Sequence, residues 1–373
     1  MIKILLDKGK QRICEELFLQ IMVEYLPFTK SEIYGKNMEE KEFDFEEVKN
    51  TRRILWNYPK LYRFLYLASE NTKYPKTVSE AVKTPVYEDR LRMLLVGKHD
   101  EMIEGNRRKS IVKIIEKIGK IEETSCLLNK VFLYKNFSRS VGAKKLLKEL
   151  GITACPYCNR MFISTIERNQ ADDGWNGTRA QFDHYFCKSI YPYLAVNFYN
   201  LIPSCGLCNT LKSKHDTYEK PMLYPYDDEM GQEYVFFAYP SDDDWGAFFE
   251  NLIDHKKNIN LKIVPKPEVI YKNTGISYFD RIKLEERLEM TKKTLHLNDL
   301  YDIHADYAEN ILRTGYFFNE SYIKMLNERF PEMKFSVQDV KEFMYCKDIC
   351  EEHWGQNILS KLTYDMDLET HFN

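Results

Sequence analysis

The sequence predicts an α+β protein: a small cysteine-bearing core of short strands and one helix, flanked by mainly α-helical N- and C-terminal regions. Three observations predict it. Apolar residues recur at helical spacing through most of residues 1–150 and again in the C-terminal third. Two Cys-x-x-Cys pairs, Cys155/Cys158 and Cys205/Cys208, bracket the 46 residues between them. Short runs rich in β-branched and aromatic residues lie inside that bracket and just after it.

In chain order, RICEELFLQIMVEYL, FEEVKNTRRILWNYPKLYRFLYLAS and RKSIVKIIEKIGKIEETSCLLNKVFLY each carry a helical apolar stripe. Charged breaks over 35–50, Pro75 and Pro85 separate these pieces. SVGAKKLLKELGI ends on Gly151, a helix stop. From 151 the character changes. ITACPYCNRMFISTI reads as a cysteine knuckle followed by a strand, NQADDGWNGTRA as a polar loop, and QFDHYF as a returning strand. NFYNLIPSCGLCNTLKSKHD holds the second knuckle and runs into a helix. EYVFFAYP and INLKIVPK read as strands, and LEERLEMTKKTLHL, YDIHADYAENILRTGYF and VQDVKEFMYCKDICEEHW as helices. The expected organisation is 1–150 helical, 151–228 the zinc-containing core, and 229–373 mixed but mainly helical.

The chain has 373 residues and a net charge of −3. A protein that holds nucleic acid by its overall charge is basic, so any such binding here needs a local patch, a metal or a partner. No 18-residue apolar run marks a membrane span. MIKILLDKGKQRI lacks a signal-peptide apolar region, so the expected location is cytoplasmic. Nine cysteines in a reducing compartment do not suggest a disulfide framework, and their paired spacing points to metal. Four thiolates from two knuckles suit tetrahedral zinc: Cys155, Cys158, Cys205 and Cys208. Cys346, Cys350 and His353 would share one face of a continuous helix, but they lack a fourth ligand and read as packing residues. Arg107-Arg108-Lys109 reads as a solvated charge run, and Cys187 as a small buried residue.

The segment between the knuckles contains Asp183-His184, then Asn200, then Asn209 directly after Cys208, then Lys212. This order, DH, N, CN, K, resembles the HNH (His-Me finger, ββα-metal) nucleases in the form whose core is clamped by a four-cysteine zinc. The likeness covers roughly 151–225. The line DHYFCKSIYPYLAVNFYNLIPSCGLCNTLKSKH is similar, more narrowly, to HNH effectors of bacterial antiphage systems of the Septu and retron-associated kinds.

The resemblance implies roles. His184 would be the general base that takes a proton from the attacking water. Asp183 and Asn209 would bind a catalytic Mg²⁺ or Mn²⁺, and Asn200 would brace the base. His215 is a candidate further ligand. Lys212, Lys214, Lys188 and Arg160 are candidate contacts to the nucleic-acid backbone. The implied activity is endonucleolytic hydrolysis of phosphodiesters, with DNA favoured over RNA, in antiphage defence. The chain has no GxxxxGK[ST] stretch, so an ATPase or regulatory subunit would be separate. Many HNH proteins carry His where Asn209 stands. Two alternatives stay open: an RNA-cleaving toxin on the same core, and a non-catalytic zinc module that binds nucleic acid or protein. Geometry discriminates. A nuclease should converge His184, Asp183 and Asn209 on a solvent-open point, whereas a buried His184 satisfied by main chain favours the binding module.

Overall fold

The computed structural model describes residues 1–28, 32–33, 45–66, 75–99, 103–104, 107–108, 110–121, 127–167, 177–231, 233–256, 258–265, 278–346 and 350–369. It is mixed, with many helices and four two-stranded antiparallel sheets among the described residues. The chain divides into two compact units. One holds 6–151 and 164–221, the other 1–5, 152–163 and 222–373. No described helix is long and apolar enough to cross a membrane.

The first unit is built on helices whose ends follow local chemistry. Asp7 caps Lys8–Tyr25 by accepting from the Lys10 amide (2.8 Å). The long stripe over 45–69 breaks into Phe45–Trp56 and Pro59–Tyr66, with Pro59 opening the second helix as its missing N–H allows. Ile111–Ile118 buries Ile111, Ile114, Ile115 and Ile118, and Gly119 ends it with φ +78°. Ser140 caps Val141–Leu150, and Gly151 closes it in the left-handed region. Lys8–Tyr25 and Val141–Leu150 approach closely at Gly142, where an added Cβ would stand 2.8 Å from Ile21. An aromatic seam of Phe18, Phe137, Phe182 and Phe198 joins the helices to the strand that carries Asp183 and His184.

That strand, Gln181–His184, pairs antiparallel with Leu201–Ser204, and the helix Gly206–Lys212 follows. The register sets Asp183 opposite Ile202 and His184 opposite Leu201. The partner strand differs from the sequence expectation, which read 201–204 only as the lead-in to the second knuckle. Pro203 hides it, because proline inside a run argues against a strand. The expected strand after the first knuckle shrinks to Ile166–Glu167, which pairs with Gly177–Thr178 and not with 181–184.

In the second unit, Tyr234–Pro240 pairs with Ile259–Pro265. Alternate residues of the first strand are buried, as a half-covered strand requires. Lys361 and Asp365 form a fully buried ion pair beneath it, with Lys361 also donating to the Tyr234 carbonyl (3.0 Å). Asn159 is an organising residue here. It is fully buried with φ +50°. Its Nδ2 donates to the carbonyls of Trp354 (3.0 Å) and Asn357 (2.9 Å), and its Oδ1 accepts from Ser360 Oγ and the Lys361 amide, each at 3.1 Å.

Cys346, Cys350 and His353 do not share a helix. Val337–Tyr345 stops at Cys346, which adopts φ +52°, and both cysteines are exposed. Arg107 and Arg108 form a short strand with Ile103–Glu104 instead of starting a helix. Lys109 and Cys126 lie outside the described residues.

Replacing Asn159 with Ala removes four hydrogen bonds and puts an alanine at positive φ. We expect a loss of about 3 kcal/mol of stability, read by chemical denaturation. A loss below about 1 kcal/mol would show that the Asn159 network does not hold this unit together.

Candidate functional site

Four cysteines come together. The Sγ atoms of Cys155, Cys158, Cys205 and Cys208 all lie within 4.8 Å of one another, and all four residues are buried. Each knuckle bends so that amides face sulfur. The Arg160 amide lies 3.5 Å from Cys158 Sγ, and the Cys208 amide 3.5 Å from Cys205 Sγ. N–H groups aimed at sulfur favour the thiolate form, as a metal ligand needs. Four soft donors in so small a volume are positioned to bind a metal, and the donor set is consistent with zinc.

We expect the purified chain to carry about one zinc, and Cys205→Ser to lose it with a fall in melting temperature. Wild-type protein whose melting is unmoved by a strong chelator would contradict a structural metal here.

The strand, strand and helix position the polar residues. Asp183 is 3% exposed, and Lys212 reaches it from the helix. The Lys212 ammonium stands 3.1 Å from Asp183 Oδ2 and 3.4 Å from Oδ1, and donates to the His184 carbonyl (2.7 Å). The expectation of Lys212 as a backbone-phosphate contact does not match this placement, because its side chain has no exposed surface.

His184 is 7% exposed. Its Nε2 lies 3.0 Å from the Ala195 carbonyl. A carbonyl oxygen only accepts, so Nε2 carries the hydrogen and Nδ1 keeps its lone pair. Nδ1 makes no hydrogen bond among the described residues. Burial, reinforced by the charges of Lys188 and Lys212 and partly offset by the Ala195 contact, lowers the imidazole pKa to about 3. The ring is therefore neutral at pH 7.

The Ala195 carbonyl is held in place by Asn200, which is fully buried. Asn200 Nδ2 donates to the carbonyls of Phe186 (3.1 Å) and Leu194 (2.9 Å), and its Oδ1 accepts from the Phe186 amide (2.6 Å). Asn197 ties the same loop to the helix Glu88–Val96 by donating to the Leu94 carbonyl (2.8 Å). Tyr193 donates to the Gly119 carbonyl (2.9 Å). The brace is thus anchored on the helical region.

The other candidates scatter. Asn209 sits in the helix, with Nδ2 donating to Gln181 Oε1 (2.7 Å), and its Oδ1 takes no hydrogen bond among the described residues. The helix ends at Lys212 because Ser213 turns to φ +43°. Lys214 and His215 therefore lie beyond the helix expected to carry them, and His215 Nε2 lies 2.8 Å from the Lys220 carbonyl. Arg160 is buried in the other unit, its Nε donating to His304 Nε2 (2.9 Å). Cys187 is buried, with Sγ 3.1 Å from Ser189 Oγ. Lys188 is exposed, with its ammonium 4.4 Å from the centre of the Tyr134 ring. The expected convergence on an open point is not what this structure holds: Asp183 and His184 are both buried, and Asn209 turns to Gln181.

Two contributors escaped sequence reasoning. Tyr134, from the helical region, lies with its ring centre 4.3 Å from that of His184 and donates to the Phe182 carbonyl (3.2 Å). Arg179 precedes the strand, its Nη1 donating to the Ala180 carbonyl (2.8 Å). A cation two residues before the motif strand is the signal that could have found Arg179. No local pattern marks Tyr134.

A segment of 59 residues is 37% identical to the Septu protein PtuB of Bacillus thuringiensis. The match covers 16% of this chain and 23% of that protein. No protein-family model matches the chain, and no solved structure matches it.

Proposed function

We propose that this chain is a metal-dependent HNH endonuclease acting in antiphage defence, with DNA favoured over RNA as substrate. One observation carries the reading. His184 is a neutral imidazole whose Nε2 is fixed by a braced carbonyl while Nδ1 stays unpartnered among the described residues. A structural histidine gains from satisfying both nitrogens, whereas a general base needs one free. The strand–strand–helix around it and the four-cysteine cluster add support. The partial likeness to a Septu protein supports the defence role.

In this reading Nδ1 of His184 takes a proton from the attacking water. The water oxygen bonds to phosphorus, the bond to the 3′-oxygen breaks, and that oxygen takes a proton from solvent, leaving 5′-phosphate and 3′-hydroxyl. Asp183 and Asn209 Oδ1 are hard oxygen donors suited to Mg²⁺ or Mn²⁺, which when bound would stabilise charge on the phosphoryl group and the leaving oxygen. Lys212 holds Asp183 in place. Asn200 and Ala195 hold the His184 ring. A separate ATPase or regulatory subunit would govern loading, in line with the net charge of −3.

A second reading has its own observation. Asp183 paired to Lys212 and the burial of His184 suit a non-catalytic zinc module.

Cleavage separates them. Plasmid, single-stranded DNA and total RNA are incubated with Mg²⁺ or Mn²⁺ and either wild type or His184→Ala. If the chain is a nuclease, the wild type cuts and the variant falls by at least about 10²-fold, with zinc content unchanged. Equal cutting by both proteins would rule out His184 as the base.

A further inference from the structure

We propose that Arg179 and Lys188, gathered around the Tyr134 ring, form a phosphate subsite that holds the nucleic-acid strand beside His184. The nature of the ligand rests on the nuclease reading. The existence of an anion site rests on the charges themselves.

Tyr134 is the hub. Its ring touches His184 on one side, and the Lys188 ammonium lies 4.4 Å from its centre. Arg179 lies near enough to interact with the Tyr134 hydroxyl, and its guanidinium stands 5.9 Å from the Phe182 ring centre. Tyr134 itself supplies no negative charge. Burial, with Asp183 adding to it, raises its hydroxyl pKa to about 12.

The cations here lack acids. Among the described residues, neither Arg179 nor Lys188 has a carboxylate within ion-pair distance, and Asp183 is engaged by Lys212. Arg139 adds a further positive charge within reach of Arg179. Desolvation pulls the Lys188 and Arg179 pKa values down. Arg179 is half-buried and Lys188 exposed, and cations with no acid beside them among the described residues are open to an anion. A guanidinium and an ammonium near one tyrosine suit a phosphodiester, which Arg can grip in bidentate fashion and Lys as a point charge. The position beside His184 would align the strand without touching the atoms that react, so both are positioning residues.

The test is binding of a fluorescent single-stranded oligodeoxynucleotide, without added divalent cation, over a range of salt. Removing one cation that neutralises a phosphate should lower the slope of log affinity against log salt by about 0.7. Lys188→Gln and Arg179→Gln should each show that drop, and the double variant about twice it. Lys188→Arg should keep the wild-type slope. So should Lys293→Gln, at an exposed lysine in the other unit. His184→Ala should also keep it, which separates the two proposals. If His184→Ala cuts like wild type, the assignment of His184 as the base fails while the slopes still decide the subsite. A double variant with the wild-type slope, or a wild type that does not bind the oligonucleotide at low salt, would overturn the subsite.

Discussion

The candidate site depends on one buried amide. Asn200 exchanges two hydrogen bonds with the main chain of Phe186 and a third with Leu194. Those bonds close the loop between the two strands so that the Ala195 carbonyl faces His184. Leaving a buried polar group unpaired costs about 1–3 kcal/mol each. A primary amide carries two N–H donors and an acceptor oxygen on one planar head, which matches the one donor and two acceptors that surround it here. Asn197 extends the constraint, accepting from the Asn200 amide (2.9 Å) and donating into the helical region. The helices before residue 151 therefore do more than flank the core. They set the floor on which the imidazole is presented.

A similar constraint governs Asp183. A buried carboxylate needs a partner, and Lys212 supplies one from the next helix. Removing one member of such a pair is more costly than the pair is stabilising, since the other is left charged and dry. Lys212 also donates to the His184 carbonyl, so one ammonium fixes both members of the Asp-His dipeptide. Acid and imidazole stand side by side for a geometric reason: adjacent strand residues point to opposite faces. Asp183 turns to Lys212 and His184 turns to Tyr134 and Ala195. For both to serve one phosphate, as proposed, the chain must twist locally there.

Much of this was legible in the sequence. The amphipathic stripes, the Gly151 helix stop, the strands Tyr234–Pro240 and Ile259–Pro265, and the four cysteines all follow from spacing and residue type. Other features were not legible, for physical reasons. Leu201–Ser204 pairs as a strand although Pro203 gives no N–H to the ladder, so no propensity rule finds it. The break at Ser213 places a non-glycine residue at positive φ, which nothing local announces. From the sequence Lys212 reads as a phosphate contact, because spacing along a helix does not show that its ammonium reaches back to Asp183. Tyr134 lies 50 residues before His184, and only the fold brings the two rings together.

The mechanism turns on His184 being held as a neutral base with its hydrogen on Nε2. Ring nitrogen NMR on ¹⁵N-histidine-labelled protein, from pH 7 down to pH 5, measures this directly. A protonated Nε2, a bare Nδ1 and no titration over that range are expected, since the pKa lies at about 3. An imidazolium forming near the ordinary value of about 6.5 would contradict the effect of burial on the ring, and a hydrogen on Nδ1 would remove the free nitrogen that the proposed mechanism requires.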